Sequence, residues 1–290
     1  MIKDSINGFF MALADSVPGV SGGTVAFILG FYDQFIGSIH DLAFGNLIKK
    51  KKAFTYLIKL GIGWLIGMAL AVVLLASLFE GHIYMISSLF IGFIIGAIPL
   101  IIKEEKITLK KHTLQKIISC LLGIVLVALI TYSNGKIRSS SMNLNQFSLS
   151  LAIQLFFIGM IAISAMFLPG ISGSTILLIF GAYMPIMSAI KNVLSFHFEA
   201  IPNICFFVLG IGFGALSVVK VIQLCLERYR HQTMFFILGM MIGSLYAIVM
   251  GPTTLQVPQA ALSFQSFHLV AAIVGMALVF GLQIIKERRE

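Results

Sequence analysis

Two short polar turns interrupt a sequence that is otherwise strongly apolar, and their residues are the ones best suited to chemistry. They read SVPGVSGGT at residues 16–24 and FLPGISGST at residues 167–175, called below the first turn and the second turn. A Pro-Gly pair followed by Ser-Gly ends one helix and starts another. The N–H groups at a helix start, together with glycines that allow close backbone approach, favour an anion. Each turn therefore predicts an anion site made mostly of backbone.

The two turns together predict a two-sided cradle for a phosphate or carboxylate, if their tips meet inside the membrane. Serine and threonine at a helix start can also cap its free N–H groups. The opposing interpretation is that these small residues only permit tight helix packing, as they commonly do in membranes. Two related turns favour the anion site, and the candidate ligands are Ser16, Gly19, Ser21, Gly22, Gly23, Thr24, Gly170, Ser172, Gly173, Ser174 and Thr175.

Two acidic residues lie close to the first turn. Asp15 immediately precedes it, whereas Met166 holds the matching position before the second turn. Charged side chains inside a membrane are costly, so each one needs a reason. Capping the turn is the favoured role for Asp15, with transfer of a coupling H⁺ or Na⁺ as the alternative. Asp33 is either a second polar member of the cavity or a residue near the membrane interface.

The overall composition predicts a membrane protein. Of 290 residues, 59% are hydrophobic and 11% are charged, less than half the usual charged share of a soluble domain. So few polar groups exclude a soluble enzyme, a secreted disulfide scaffold and a disordered protein. Cys120, Cys205 and Cys225 lie in apolar runs without metal-ligand spacing, so neither a disulfide framework nor a metal site is expected, and no cofactor is implied.

The apolar runs predict two helical hairpins and six membrane spans. The hairpins cover residues 5–40 and 147–190, and each contains one of the two turns. Irregular backbone at membrane depth must be buried in protein or line a wet cavity, so we expect re-entrant hairpins or pairs of short spans. The six spans are expected at 54–79, 83–102, 113–132, 202–226, 232–250 and 267–285.

The loop charges predict that both termini are cytoplasmic. Thirteen Lys and Arg residues fall in the loops 45–53, 103–112 and 227–231 and in the tail, against three in the intervening loops. Cytoplasmic loops carry such an excess of positive charge. The net charge of +9 is therefore assigned to one membrane face, and nucleic acid is not expected as a partner.

The chain also contains an internal duplication. A shift of 151 residues aligns eight positions of the turn regions, and glycines of the later spans follow at similar offsets. Each half, residues 1–135 and 136–290, then contains one hairpin and three spans. An odd number of crossings per half predicts an all-α polytopic membrane protein with an inverted-topology repeat. This arrangement is typical of secondary transporters, whose broken helices form the substrate site.

With these motifs in view, the chain resembles a bacterial family, the PopT undecaprenyl-phosphate translocases, once catalogued only as a domain of unknown function. The residues that carry the resemblance are DSVPGVSGGTVAFILGFYD at 15–33 and LPGISGSTILLIFGAYMPI at 168–186. It implies a flippase of the bacterial cytoplasmic membrane that returns undecaprenyl phosphate from the outer to the inner leaflet. There the carrier lipid is reused for peptidoglycan and other envelope polymers. The resemblance does not assign the residues that bind the lipid.

Two other functions stay open at this point. Membrane phosphatases that act on undecaprenyl diphosphate have a similar turn with an arginine, but Gly173 and Gly22 occupy that position here. Without the arginine, a transferring phosphoryl group has no evident stabilisation. A small-anion channel or exchanger is the second alternative. The energy source is also open: transport is either coupled to an H⁺ or Na⁺ gradient or passive. The oligomeric state is open as well.

Overall fold

Every regular element in the described part of the computed structural model is helical. The model describes residues 2–15, 21–70, 76–104, 113–134, 142–194, 196–254 and 258–287. The first half contains α1 (Ile2–Asp15), α2 (Gly22–Ile28), α3 (Tyr32–Phe44), α4 (Leu47–Leu70), α5 (Ala76–Glu104) and α6 (Thr113–Asn134). The second half contains α7 (Leu149–Phe167), α8 (Gly173–Ile179), α9 (Tyr183–Leu194), α10 (Ile201–Arg228), α11 (Arg230–Met250) and α12 (Leu269–Glu287).

Six described helices are long and apolar enough to cross a membrane. Five of them correspond to predicted spans, and the sixth is α7, the first limb of the second hairpin. The predicted span 267–285 corresponds to α12, in which the apolar stretch Leu269–Gly281 is shorter. The six helices are Leu47–Leu70, His82–Pro99, Leu114–Ser133, Leu149–Phe167, Ile201–Arg228 and Arg230–Thr253. The chain is thus an all-α, multi-pass membrane protein.

Each hairpin contains three helices where two were predicted. The second limb of the first hairpin is broken at Gly30, with φ of 72°, and that of the second hairpin at Gly181, with φ of 65°. In both places the glycine N–H bonds back three residues and the following N–H bonds back five, which is the usual way a helix ends on a left-handed glycine. The predicted continuous limbs are therefore wrong. The motifs GFY and GAY mark these breaks.

Helix packing follows the same plan in the two halves. The most extensive contacts pair α1 with α4, α7 with α10, α5 with α12 and α6 with α11. A methyl group added at Gly63 of α4 would overlap the Ser5 carbonyl of α1, and one at Gly210 of α10 would overlap the Phe156 carbonyl of α7. The structure therefore matches Gly63 with Gly210, an offset of 147 residues where the turns have an offset of 151.

The outer helix pairs show the same correspondence. Gly92 of α5 approaches the Ala272 backbone of α12, and Gly239 of α11 approaches the Cys120 backbone of α6. In each case glycine is required because a side chain would overlap the neighbouring main chain. These recurring contacts support the duplication, whereas the opposite membrane orientation of the halves stays a prediction.

The tips of the two hairpins lie in the interior of this helix bundle, whereas the outer faces of α1 and α7 are exposed. The main apolar core joins Phe27 of α2, Tyr32 of α3, Phe167 of α7 and Met241 of α11. A second apolar cluster surrounds α8 with residues of α6, α7 and α11. The packing thus positions the first and second turns against each other.

Candidate functional site

The start of α2 is capped by side chains of its own half. Ser21 is the N-cap residue, and its Oγ accepts a hydrogen bond from the Thr24 amide at 3.2 Å. Asp15 Oδ1 accepts from the Gly22 amide at 2.6 Å, and its Oδ2 accepts from Trp64 Nε1 of α4 at 3.0 Å. Asp15 therefore occupies the capping position favoured by the sequence, and Trp64 fixes its orientation.

The two turns meet through hydrogen bonds between their residues. The Gly170 amide donates to Thr24 Oγ1 at 2.8 Å, and Ser21 Oγ lies 3.0 Å from the same oxygen. Ser21 Oγ also lies 3.4 Å from the Leu168 carbonyl, to which it donates. Ser21 is 0% and Thr24 1% exposed, so these two hydroxyls are used inside the protein. Ser16 and Gly19 lie outside the described residues.

The end of α7 is held by the first hairpin as well. Tyr32 of α3 donates from its hydroxyl to the Phe167 carbonyl at 3.1 Å. A Cβ atom added at Gly23 would lie 3.0 Å from this carbonyl oxygen, closer than ordinary contacts allow. Gly23 is therefore needed for close packing of α2 on α7, which is the small-residue role that the sequence left open.

The second turn has a different polar environment. Gly170 has φ of 89°, and a Cβ atom there would lie 2.5 Å from the Met240 carbonyl of α11. Ser172 is the N-cap residue of α8, but its side chain caps no amide, and its Oγ lies 2.7 Å from Ser174 Oγ. The start of α8 thus presents paired hydroxyls without the side-chain cap found at α2.

Exposure separates the two helix starts in the same way. Gly22, Gly23 and Thr24 are buried, whereas Gly173, Ser174 and Thr175 are half-buried. At the positions that match Asp15 and Trp64, the second half has Met166 and Ile211. The polar clamp of the first half is therefore replaced by apolar side chains, and the second turn keeps the more accessible polar groups.

Asp33 lies away from the contact between the turns. It is exposed at the start of α3, where its Oδ2 forms an ion pair with Arg230 Nη1 of α11 at 2.9 Å. This position agrees with the interface alternative for Asp33 and not with a polar cavity at the turns. No group of three or more His, Cys, Asp or Glu that could hold a metal ion occurs among the described residues.

Two polar side chains of the interior were not picked out from the sequence. Trp64, the single tryptophan of the chain, lies in a glycine-rich span, and its sequence context does not mark it as a partner of Asp15. Lys116 is 5% exposed on α6, with its Nζ 5.9 Å from the centre of the Phe235 ring. The position of Lys116 inside an apolar span was a sequence signal for a functional residue, because charged residues are rare in such spans unless they have a role.

Comparison with known proteins identifies the family of this chain. The model of the undecaprenyl phosphate translocase-like family matches residues 11–266. A polyprenyl-phosphate transporter of Staphylococcus aureus is 37% identical over 86% of this chain and 86% of its own length. A polyprenyl-phosphate transporter of Vibrio cholerae is 31% identical over 98% of this chain and 96% of its own. No solved structure matches. This chain belongs to the undecaprenyl phosphate translocase-like family.

Proposed function

We propose that this protein carries undecaprenyl phosphate from the outer to the inner leaflet of the bacterial cytoplasmic membrane, for reuse in peptidoglycan and envelope synthesis. Its relatives named polyprenyl-phosphate transporters cover nearly the whole chain, so the same fold is available for the same class of lipid. A flippase must provide a polar route for one anionic headgroup while the long tail stays in lipid. The direction, the specific lipid and the residues below are part of the proposal.

The observation that carries the proposal is the contact between the two turns. Residues from distant parts of the chain, Thr24 and Gly170, share a hydrogen bond of 2.8 Å in the interior of the bundle. Irregular backbone is tolerated in a membrane protein where it is buried or lines a cavity, and it is typical of transporter sites. The meeting of the turns supports a single central site for the phosphate.

Within that site, the second turn is the better ligand for phosphate. Amides at the start of α2 already bond to Asp15 and Ser21, so they are occupied by the chain itself. The start of α8 offers the hydroxyls of Ser174 and Thr175, both half-buried, and no side chain caps it. Hydroxyl and amide donors suit a phosphate oxygen. We therefore assign the phosphate to the second turn and a bracing role to the first.

Transport then requires this site to change its access from one leaflet to the other. In an inverted repeat, the halves rock against each other around a central site. The halves 1–135 and 136–290 are joined here by the hydrogen bonds of the first turn to the second and by the helix pairs α5–α12 and α6–α11. Both oxygens of Asp15 accept N–H donors, which supports a structural cap and makes passive transport the simpler form of the proposal. H⁺ or Na⁺ coupling through Asp15 is the alternative.

The test uses purified protein in liposomes that contain undecaprenyl phosphate. Lipid in the outer leaflet is hydrolysed by an added, membrane-impermeant phosphatase, so the fraction of protected lipid reports movement between leaflets. Wild type should make all of the lipid accessible within the assay, with no phosphate release before the phosphatase is added. Phosphate release from parallel liposomes that contain undecaprenyl diphosphate and no added phosphatase would indicate the phosphatase-like enzyme. A chloride current without lipid movement would indicate the anion channel. Comparing rates with and without H⁺ or Na⁺ gradients tests coupling.

The matched variants are Thr175→Val and Thr131→Val. Both remove a hydroxyl without changing the side-chain shape, and Thr131 Oγ1 donates to the Val127 carbonyl of its own helix α6. Thr175→Val should lower the transport rate about tenfold, the equivalent of about 1.4 kcal/mol, while Thr131→Val stays near wild type. Equal rates in the two variants would contradict the role of the second turn.

A further inference from the structure

An apolar groove lies between α5 and α12, and none of its described lining residues belongs to the two turns. It encloses about 500 Å³, within the range of small-molecule sites. Its walls are formed by Met85, Ile86 and Leu89 of α5 and, on the other side, by residues at the start of α12 that include Ala271 and Val274. The groove lies at the end of both helices that the loop charges assign to the outer face of the membrane.

The groove has the chemistry of a lipid-tail site with one polar residue at its edge. Of the nine described residues that line it, eight are apolar and His268 alone carries a polar side chain. Leu269 and Val270 at its rim are 64% and 75% exposed, so the groove opens onto the lipid-facing surface. A peptide would need hydrogen-bond partners that these walls do not provide, whereas a hydrocarbon chain needs none.

Lys116 occupies the position in the other half that matches His268. In the second half, the Ala272 backbone packs against Gly92, and His268 comes four residues before Ala272. In the first half, the Cys120 backbone packs against Gly239, and Lys116 comes four residues before Cys120. The neighbours match as well. The His268 amide donates to Ser88 Oγ at 3.0 Å, four residues before Gly92. The Lys116 ammonium lies over Phe235, four residues before Gly239. A basic side chain thus lies near the start of the same helix in each half.

The two basic positions differ in their access. His268 is exposed beside an open groove, whereas Lys116 is 5% exposed between α6 and α11. If the halves are inverted, as predicted, the two positions lie near opposite faces of the membrane. Repeats that exchange their conformations during transport would then open one position as the other closes. With His268 exposed and Lys116 buried, the structure has the arrangement expected of a state that the lipid enters from the membrane face near His268.

We propose that the groove between α5 and α12 holds the part of the polyprenyl chain next to the headgroup, with His268 contacting the phosphate before it moves to the second turn. Lys116 is the matched headgroup position on the opposite face. The proposal rests on the proposed transport function, because that function supplies the anionic headgroup and the hydrocarbon tail. Charge complementarity between a basic residue and a phosphate, beside an apolar wall, is the reason for this occupant.

The first experiment labels the groove directly. A polyprenyl phosphate with a photoreactive diazirine in its first isoprene unit is added to wild type in nanodiscs, and labelled residues are mapped by mass spectrometry. Labels should concentrate on Met85, Leu89 and Val274 and decrease in competition with unlabelled undecaprenyl phosphate. Labels confined to other helices, or insensitive to this competition, would overturn the proposal. Labelling does not require transport, so a groove that binds lipid in a protein that fails to move it would contradict only the proposed function.

The second experiment fills the groove in the transport assay. Ala271→Trp occupies the groove, and Ala277→Trp places the same side chain at an exposed position of the same helix that does not line it. Ala271→Trp should reduce transport about tenfold, because excluding a few buried methylenes weakens lipid binding that much. Ala277→Trp should stay within about twofold of wild type. Equal transport by both variants, with wild type active, would overturn the groove while leaving the transport function intact.

The basic positions are tested by pairs of variants. His268→Gln should weaken competition for the photoreactive lipid, and His268→Lys should restore it, because a cation replaces the imidazole. Lys116→Met should slow transport about tenfold, and Lys116→Arg should recover most of the rate because the positive charge is kept. If His268→Gln competes as well as wild type, or Lys116→Arg is as slow as Lys116→Met, the assigned headgroup contacts are wrong.

Discussion

The two hairpins contain the same turn motif but use it differently. In the first hairpin, Ser21 and Thr24 are buried and bond to the second turn. Asp15 caps α2 and accepts a hydrogen bond from Trp64. In the second hairpin, Met166 replaces the acid and the start of α8 is uncapped and half-buried. The comparison teaches that a duplicated motif need not give two equivalent sites. In the proposed transport function, one copy braces the bundle and the other supplies the donors to the ligand.

The difference lies in side chains, because the backbone contacts are alike. Glycines approach neighbouring backbone at matched positions of both halves, so a change there would damage the packing of either half. Polar side chains at matched positions differ, as in the pairs Asp15 with Met166 and Ser88 with Phe235. The shared scaffold is thus kept by close packing, while the polar groups give each half its own role.

The largest effect is expected from Gly170→Ala. The φ of 89° is unfavourable for alanine, and its Cβ would lie 2.5 Å from the Met240 carbonyl. Strain and overpacking together should cost roughly 3 kcal/mol, measured as a lower midpoint of unfolding in detergent. Gly212→Ala is the control, since no atom lies within 4 Å of a Cβ there. A Gly170→Ala protein as stable as this control would show that the turn is not held as described.

Thr24→Val should come next, and it separates stability from transport. The variant leaves the buried Gly170 amide without its acceptor, at a cost of about 1–3 kcal/mol. Thr175→Val should leave the unfolding midpoint within about 0.5 kcal/mol of wild type and reduce transport instead. If both threonines affect stability equally, the distinction between a bracing turn and a ligand-facing turn is lost.

Trp64→Phe tests the clamp on Asp15. Removing the indole N–H leaves Asp15 Oδ2 without its donor, so the variant should lose about 1–3 kcal/mol of unfolding free energy. Ile211→Phe, at the matched position of α10, has no such bond to lose and serves as the control. Unfolding curves in the same detergent compare the two. Equal losses would mean that packing volume, and not the hydrogen bond, determines the effect.

The smallest effect is expected from Asp33→Asn. The carboxylate and Arg230 are both about half exposed, with side-chain exposures of 49% and 45%, so water screens their attraction. Exposed ion pairs contribute about 0–1 kcal/mol, and transport should be unchanged. A large loss of transport with normal stability would contradict this assignment and show that Asp33 contributes to the functional site.

The sequence predicted the helical membrane fold and the two special turns because both depend on local signals. Apolar runs define spans, and Pro-Gly breaks a helix wherever it occurs. The breaks at Gly30 and Gly181 were missed because an isolated glycine in an apolar run does not distinguish a helix end from a packing contact. The roles of Trp64 and Lys116 depend on which helices adjoin them. That arrangement follows from the packing of distant segments, which the local pattern does not contain.

Hydrogen exchange of the two helix starts tests the central claim most directly. Amides of Gly173–Thr175 in α8, and of Gly22 and Thr24 in α2, are followed in nanodiscs with and without undecaprenyl phosphate. The account predicts that the α8 amides exchange faster without lipid and become protected when it is added, while the α2 amides are protected throughout because Asp15 and Ser21 already cap them. Lipid-dependent protection at α2, or none at α8, would contradict the assignment of the phosphate to the second turn.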